Sequence, residues 1–138
     1  MSPEAGRYLD KARKLLADGE TMLAVGLNEA AGRNAYLAGF HAAQAFLFDG
    51  VGKVFKSHHG VQAEFLRLTK DDPRIEAEHR AFLSRAHNLK AVADYETGPG
   101  SEISHERAAA AIETGKRFVA MIAERIAAAT PKREPSST

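Results

Sequence analysis

The sequence predicts an all-α fold: an up-and-down antiparallel bundle of four long helices plus one short helix. Three observations point to it. Five segments repeat apolar residues at helical spacing, no segment alternates as a strand does, and the breaks between segments are short, which favours antiparallel neighbours. There is no internal repeat. The 138 residues suffice for one domain with a single core. We expect the bundle over 1–129 and a disordered tail over 130–138, because TPKREPSST has too little apolar content to fold.

Ser2-Pro3-Glu4 reads as a helix start, with Ser as N-cap, Pro at the first helical position and an acid that suits the dipole. Behind it Ala5, Tyr8, Leu9, Ala12, Leu15, Leu16, Met22 and Leu23 keep the helical period, and Gly19 falls on the same apolar side. A glycine in a helix interior costs about 1 kcal/mol against alanine, so close approach of a neighbouring helix is expected there. A break at Gly26 to Asn28 leads into a central helix from Glu29. Its stretch from Arg33 to Phe48, RNAYLAGFHAAQAFLF, is apolar on nearly every side, the mark of a helix enclosed by neighbours. Arg33, Asn34, His41 and Gln44 interrupt it, and such groups need internal partners or a ligand. Gly50 is expected to end this helix as a left-handed cap.

The loop GVGKVFKSHHG follows, then a short helix marked by Val61, Phe65, Leu66 and Leu68 and closed by Lys70-Asp71-Asp72-Pro73. Ile75 to Tyr95 reads as the next long helix, with Phe82, Ala86, Leu89 and Ala93 as its apolar stripe. Thr97-Gly98-Pro99-Gly100-Ser101 is a turn, and Ser104 caps a last helix carrying Ala108, Ala111, Ile112, Gly115, Phe118, Val119, Ile122 and Ile126.

Composition excludes several classes. Cysteine is absent, which removes disulfides and thiolate metal sites. Nineteen basic against eighteen acidic residues leave no global field, so contact with nucleic acid would need a local patch. MSPEAGRYLDKARK lacks the apolar core of a secretory signal, and no apolar run is long enough to span a bilayer. A cytoplasmic protein without membrane contact is the expectation.

Arg33, Tyr36 and Phe40-His41-Ala42-Ala43, then Lys56-Ser57-His58-His59-Gly60-Val61, then Ala93-Asp94-Tyr95 carry a resemblance. In this order they resemble the HEPN superfamily, and within it the small stand-alone bacterial HEPN proteins. Ser57 stands where those proteins usually have Thr. The resemblance implies a helical bundle that usually forms a homodimer. It also implies a small nucleotidyltransferase partner for many members. Some members are ribonuclease toxins neutralised by that partner, and others are noncatalytic nucleotide-binding, RNA-binding or interaction modules. Both branches remain open at this point.

The catalytic HEPN signature is an Arg followed after four to six residues by a His, which Arg80 and His87 satisfy at the longest spacing. Seven helical steps place them within about 20° of one azimuth, and seven more add Asp94, on a face opposite the Phe82–Leu89 stripe. His87, with a reference pKa of about 6.5, would move a proton and Arg80 would offset phosphorane charge, with no metal or cofactor. The extended signature has a Tyr two residues after the His, where this chain has Leu89. Arg33 and His41 lie about 80° apart on their helix, so an acid–base pair within it is not expected. Arg33, Tyr36 and His41 with Lys56 and His58 are instead expected to form a nucleotide- or RNA-binding cluster, with Asp94 and Tyr95 added by the resemblance. Equally open is a structural network in which Arg33 pairs with Asp94. Lys53, Lys56, His58 and His59 form a basic loop beside Phe55 but match no phosphate-loop motif. Adjacent histidines rarely converge on one ion, so no metal is expected.

Overall fold

The structure is a computed structural model describing residues 1–99 and 102–129. The tail expected over 130–138, and the end of the turn at Gly100 and Ser101, lie outside those residues. Five helices follow in order: α1 Pro3–Ala24, α2 Asn28–Val51, α3 His58–Thr69, α4 Ala77–Tyr95 and α5 His105–Ala129. The described residues hold no strand, and the architecture is the four-long-plus-one-short bundle read from the sequence.

Ser2 Oγ accepts the Ala5 N–H at 3.1 Å and Pro3 opens α1. Gly26, with φ 83°, turns the chain into α2 while the Leu27 N–H bonds the Met22 carbonyl at 2.8 Å. The left-handed cap of α2 is Gly52, at φ 78°, and not Gly50, which stays helical. Either glycine tolerates positive φ. Gly52 takes it because its N–H reaches the Phe48 carbonyl at 2.9 Å. Ser57 caps α3 by accepting the Gly60 N–H at 2.9 Å. The fourth helix begins at Ala77, two residues later than the sequence reading. Ile75 is buried but closes a turn on the Asp72 carbonyl, and Glu76 is the extended N-cap.

The core is built around α2, which meets the other four helices and buries Ala31, Ala35, Ala38, Ala42, Ala43, Ala45 and Leu47. α1 runs antiparallel to it, with the Asn34 amide donating to the Leu15 carbonyl at 3.0 Å. α4 is antiparallel on another side. A Cβ at Gly39 would stand 2.4 Å from Phe82 Cε2, and one at Gly32 would stand 3.0 Å from Leu89 Cδ2. The glycine on the apolar side of α1 has the same explanation: a Cβ at Gly19 would come within 2.6 Å of Ile112 on α5. No described helix is long and apolar enough to cross a membrane.

The same substitution should therefore have opposite signs on one helix. Gly39→Ala forces the buried Phe82 ring to move, and overpacking of about 1–3 kcal/mol outweighs the gain of about 1 kcal/mol in helix propensity. Gly50→Ala meets nothing within 4 Å and gains about 0.5–1 kcal/mol. Urea denaturation of the two variants checks both signs.

Candidate functional site

α2, α3 and α4 bring three rings together. Tyr36 is buried on α2, and its hydroxyl lies 3.1 Å from Nδ1 of His58, the first residue of α3. His58 stacks on His87 of α4 with ring centroids 3.8 Å apart and planes within 11°. His87 in turn meets the Tyr36 ring edge-on at 5.3 Å. Burial pushes the Tyr36 phenol up to about 12, so it stays a neutral hydroxyl at any ordinary pH. Burial is also the main cause that lowers the His58 imidazole below its usual value, followed by the neighbouring His87 and His59.

Arg80 is what lays α3 along α4. Its Nη2 donates to the Thr69 carbonyl at 2.8 Å and to the Asp72 carbonyl at 3.0 Å, satisfying the end of α3. Within one chain Arg80 and His87 are thus brought to opposite ends of α3 and not to one point. Two helical turns, about 10.5 Å of rise, separate them. The face they share is partly covered by α3 and does not simply face solvent.

The expected cluster on α2 divides. Arg33 Nε bonds Asp94 Oδ1 at 2.7 Å, and Lys90 Nζ holds the other carboxylate oxygen at 2.8 Å. Lys90 and then Arg33 keep the Asp94 carboxyl below the usual range. Tyr95 is exposed, with the Lys90 ammonium 5.6 Å from its ring centroid. His41 points away from these groups: its Nδ1 donates to the Leu37 carbonyl at 2.9 Å and its ring lies 6.2 Å from Tyr8 of α1. His41 thereby lines a cleft together with Glu4, Arg7, Tyr8 and Lys11. Lys56 is exposed in the loop before α3. Gln44 fastens that loop through its amide, donating to the Phe55 carbonyl and accepting the Phe55 N–H at 3.2 Å.

So Tyr36 and His58 come together as the sequence reading placed them, whereas Arg33 turns to Asp94 and His41 to the Leu37 carbonyl and Tyr8. The meeting of His58 with His87 was not anticipated. Once Arg33–Asp94 is taken as an antiparallel contact, however, the Tyr36 turn of α2 falls near the His87 turn of α4. Among the described residues no three His, Asp or Glu side chains converge to hold a metal ion.

This arrangement of helices has known counterparts. The HEPN domain profile matches residues 5–126, and the chain belongs to the HEPN domain family. A UPF0332 protein of Archaeoglobus fulgidus is 32% identical over 109 residues, covering 79% of this chain and 84% of that relative. The crystal structure of TT1696 from Thermus thermophilus superposes with a TM-score of 0.74 at 17% identity, over 90% of this chain and 99% of that one, a likeness of fold.

The lowered His58 value carries a sign. The unfolded chain binds this proton at about pH 6.5, whereas the folded chain binds it only at lower pH. Stability from the neutral ring is fully present above about pH 6.5 and is lost as pH falls towards the folded value. Melting temperature should therefore drop between pH 7 and pH 5, and His58→Gln should flatten that slope. An unchanged slope in the variant would show that other groups set it.

Proposed function

We propose that this HEPN protein is the toxin-type half of a pair with a small nucleotidyltransferase, acts as a homodimer in the cytoplasm, and cleaves RNA without a metal. The observation that carries the reading is the stacked His58–His87 pair under the Tyr36 hydroxyl. Two imidazolium ions in such contact repel, and burial together with the neighbouring His87 lowers the His58 imidazole, which favours His58 as the neutral ring. Beside a protonated partner it would form the acid–base complement that RNA transesterification uses. The neutral ring takes the 2′-hydroxyl proton as that oxygen attacks phosphorus. The cationic ring gives its proton to the departing 5′-oxygen. The products are a 2′,3′-cyclic phosphate and a 5′-hydroxyl end, with the proton count conserved. Since the ring faces occupy each other, the phosphodiester meets their edges.

In this reading His87 and His58 are catalytic, and Tyr36 orients His58 through Nδ1. Arg80 acts by holding α3, and with it His58, against α4. Arg33 and Lys56 supply flanking binding contacts, with Asp94 setting the position of Arg33 and the exposed Tyr95 ring available for base stacking, while His41, on the α1 side, lies outside this surface.

A second reading, a noncatalytic nucleotide- or RNA-binding module, is favoured by one observation. The Arg80 and Arg33 guanidiniums are both engaged, by carbonyls and by Asp94 respectively, so neither stands free beside the histidines to offset phosphorane charge.

Incubation of end-labelled RNA with the purified protein in EDTA separates the two. Cleavage to cyclic-phosphate ends is expected, with His87→Ala or His58→Ala each slowing it by about 10²–10⁴-fold. Arg80→Ala should lower both the rate and the melting temperature. RNA bound but left intact would establish the second reading, and RNA neither bound nor cut would sink both. Light scattering checks the dimer, and co-expression with the nucleotidyltransferase should suppress toxicity.

A further inference from the structure

α4 and α5 splay apart over α2, leaving a groove of about 580 Å³ on the surface. Its floor is aliphatic, from Ala86, Leu89, Ala110 and Ala111, above the edge of Phe82. Arg85 rises from the α4 rim and Arg107 from the α5 rim, while Arg117 bonds Glu78 across one end at 2.6 Å. Among the described residues the other ion-paired arginines, Arg7, Arg13, Arg33, Arg67 and Arg74, each have a carboxylate within 4 Å. With described residues Arg80, Arg85, Arg107 and Arg125 form no such ion pair, and of these Arg85 and Arg107 are exposed on this one groove. Glu78, which also lines the groove, is bonded to Arg117 and lies within the field of Arg85, so the rim keeps a net positive charge over the aliphatic floor, complementary to a ligand that is anionic at its edges and apolar along its middle.

We infer that the α4–α5 groove docks an acidic amphipathic helix of a partner polypeptide, its aliphatic residues on the floor and its carboxylates on Arg85 and Arg107. Two features favour a polypeptide over nucleic acid. The floor presents no open aromatic face on which a base could stack, because the Phe82 ring is only 3% exposed. The two cations without an ion pair also stand on opposite rims, Arg85 on α4 and Arg107 on α5. That placement suits carboxylates on either side of a helix lying in the groove. Arginine is moreover the cation that pairs with carboxylates bidentately while its stem covers apolar surface. The inference is independent of whether His58 and His87 cleave RNA.

A displayed library of randomised 16-residue peptides, selected against the full-length protein, tests it. Enriched peptides should carry Asp or Glu flanking aliphatic residues at helical spacing. Binding should fall at least tenfold for the exposed charge reversals Arg85→Glu and Arg107→Glu together. It should fall similarly for Ala110→Trp, which fills the trough without changing charge. Peptides without acidic enrichment, or acidic peptides that bind both variants as well as wild type, would overturn the inference. So would a labelled single-stranded RNA whose binding shows that same sensitivity. A shift from dimer to monomer in the charge-reversed protein would assign the groove to a second copy of the chain instead.

Discussion

Facing helices in the bundle pack side chain against backbone where one of the two has no side chain. Gly32 and Gly39 on α2 receive Leu89 and Phe82 from α4, Gly19 on α1 receives Ile112, and Gly115 on α5 receives Leu16. Around these points α2 is lined with alanines, so it is thin enough for four helices to close on it at once. Each glycine gives up some helix propensity, and the dispersion and burial of the large partner side chain offset that loss. A small residue thus meets a large side chain at each of these contacts, on the outer helices as well as on α2, and α2, closed on by four helices, shows no polar face of its own.

With its apolar surface consumed in this way, the few polar groups of α2 become fasteners. Asn34 is tied to α1, Arg33 to α4, Tyr36 to α3, and Gln44 to the loop before α3. Leaving a buried polar group without its partner costs about 1–3 kcal/mol, so each of these contacts penalises a slipped register even where its net contribution is small. The ring cluster follows from this. Tyr36 is fixed by the α2 packing, and its hydroxyl has an acceptor only when α3 presents His58 to it.

Much of this was legible in the sequence and some was not. The five helices, the Ser2 and Ser104 caps and the buried stripe of α4 follow from local periodicity and capping chemistry, which act over a few residues. Gly19 was legible as a point of close approach because its cost demanded one. The choice of Gly52 over Gly50 was not, since two equivalent glycines differ only in which N–H finds a free carbonyl. The histidine pair was obscured for another reason. His58 and His87 lie on different helices, and their contact depends on the path of a loop that Gln44 sets from within the core. Arg80 shows the same limit: its spacing to His87 is visible in one helix, whereas its carbonyl partners lie on the preceding element.

α3 itself has a property that the four long helices lack. It has twelve residues, a length at which a helix in water is marginal without tertiary support. Its support comes from Val61 and Phe65 in the core, His87 at one end and Arg80 at the other. Released from these contacts, such a segment melts and does not swing aside as a rigid arm. The geometry of His58 is therefore governed by a local folding equilibrium, and the ring cluster exists as a cooperative unit, assembled or absent with the helix that carries it.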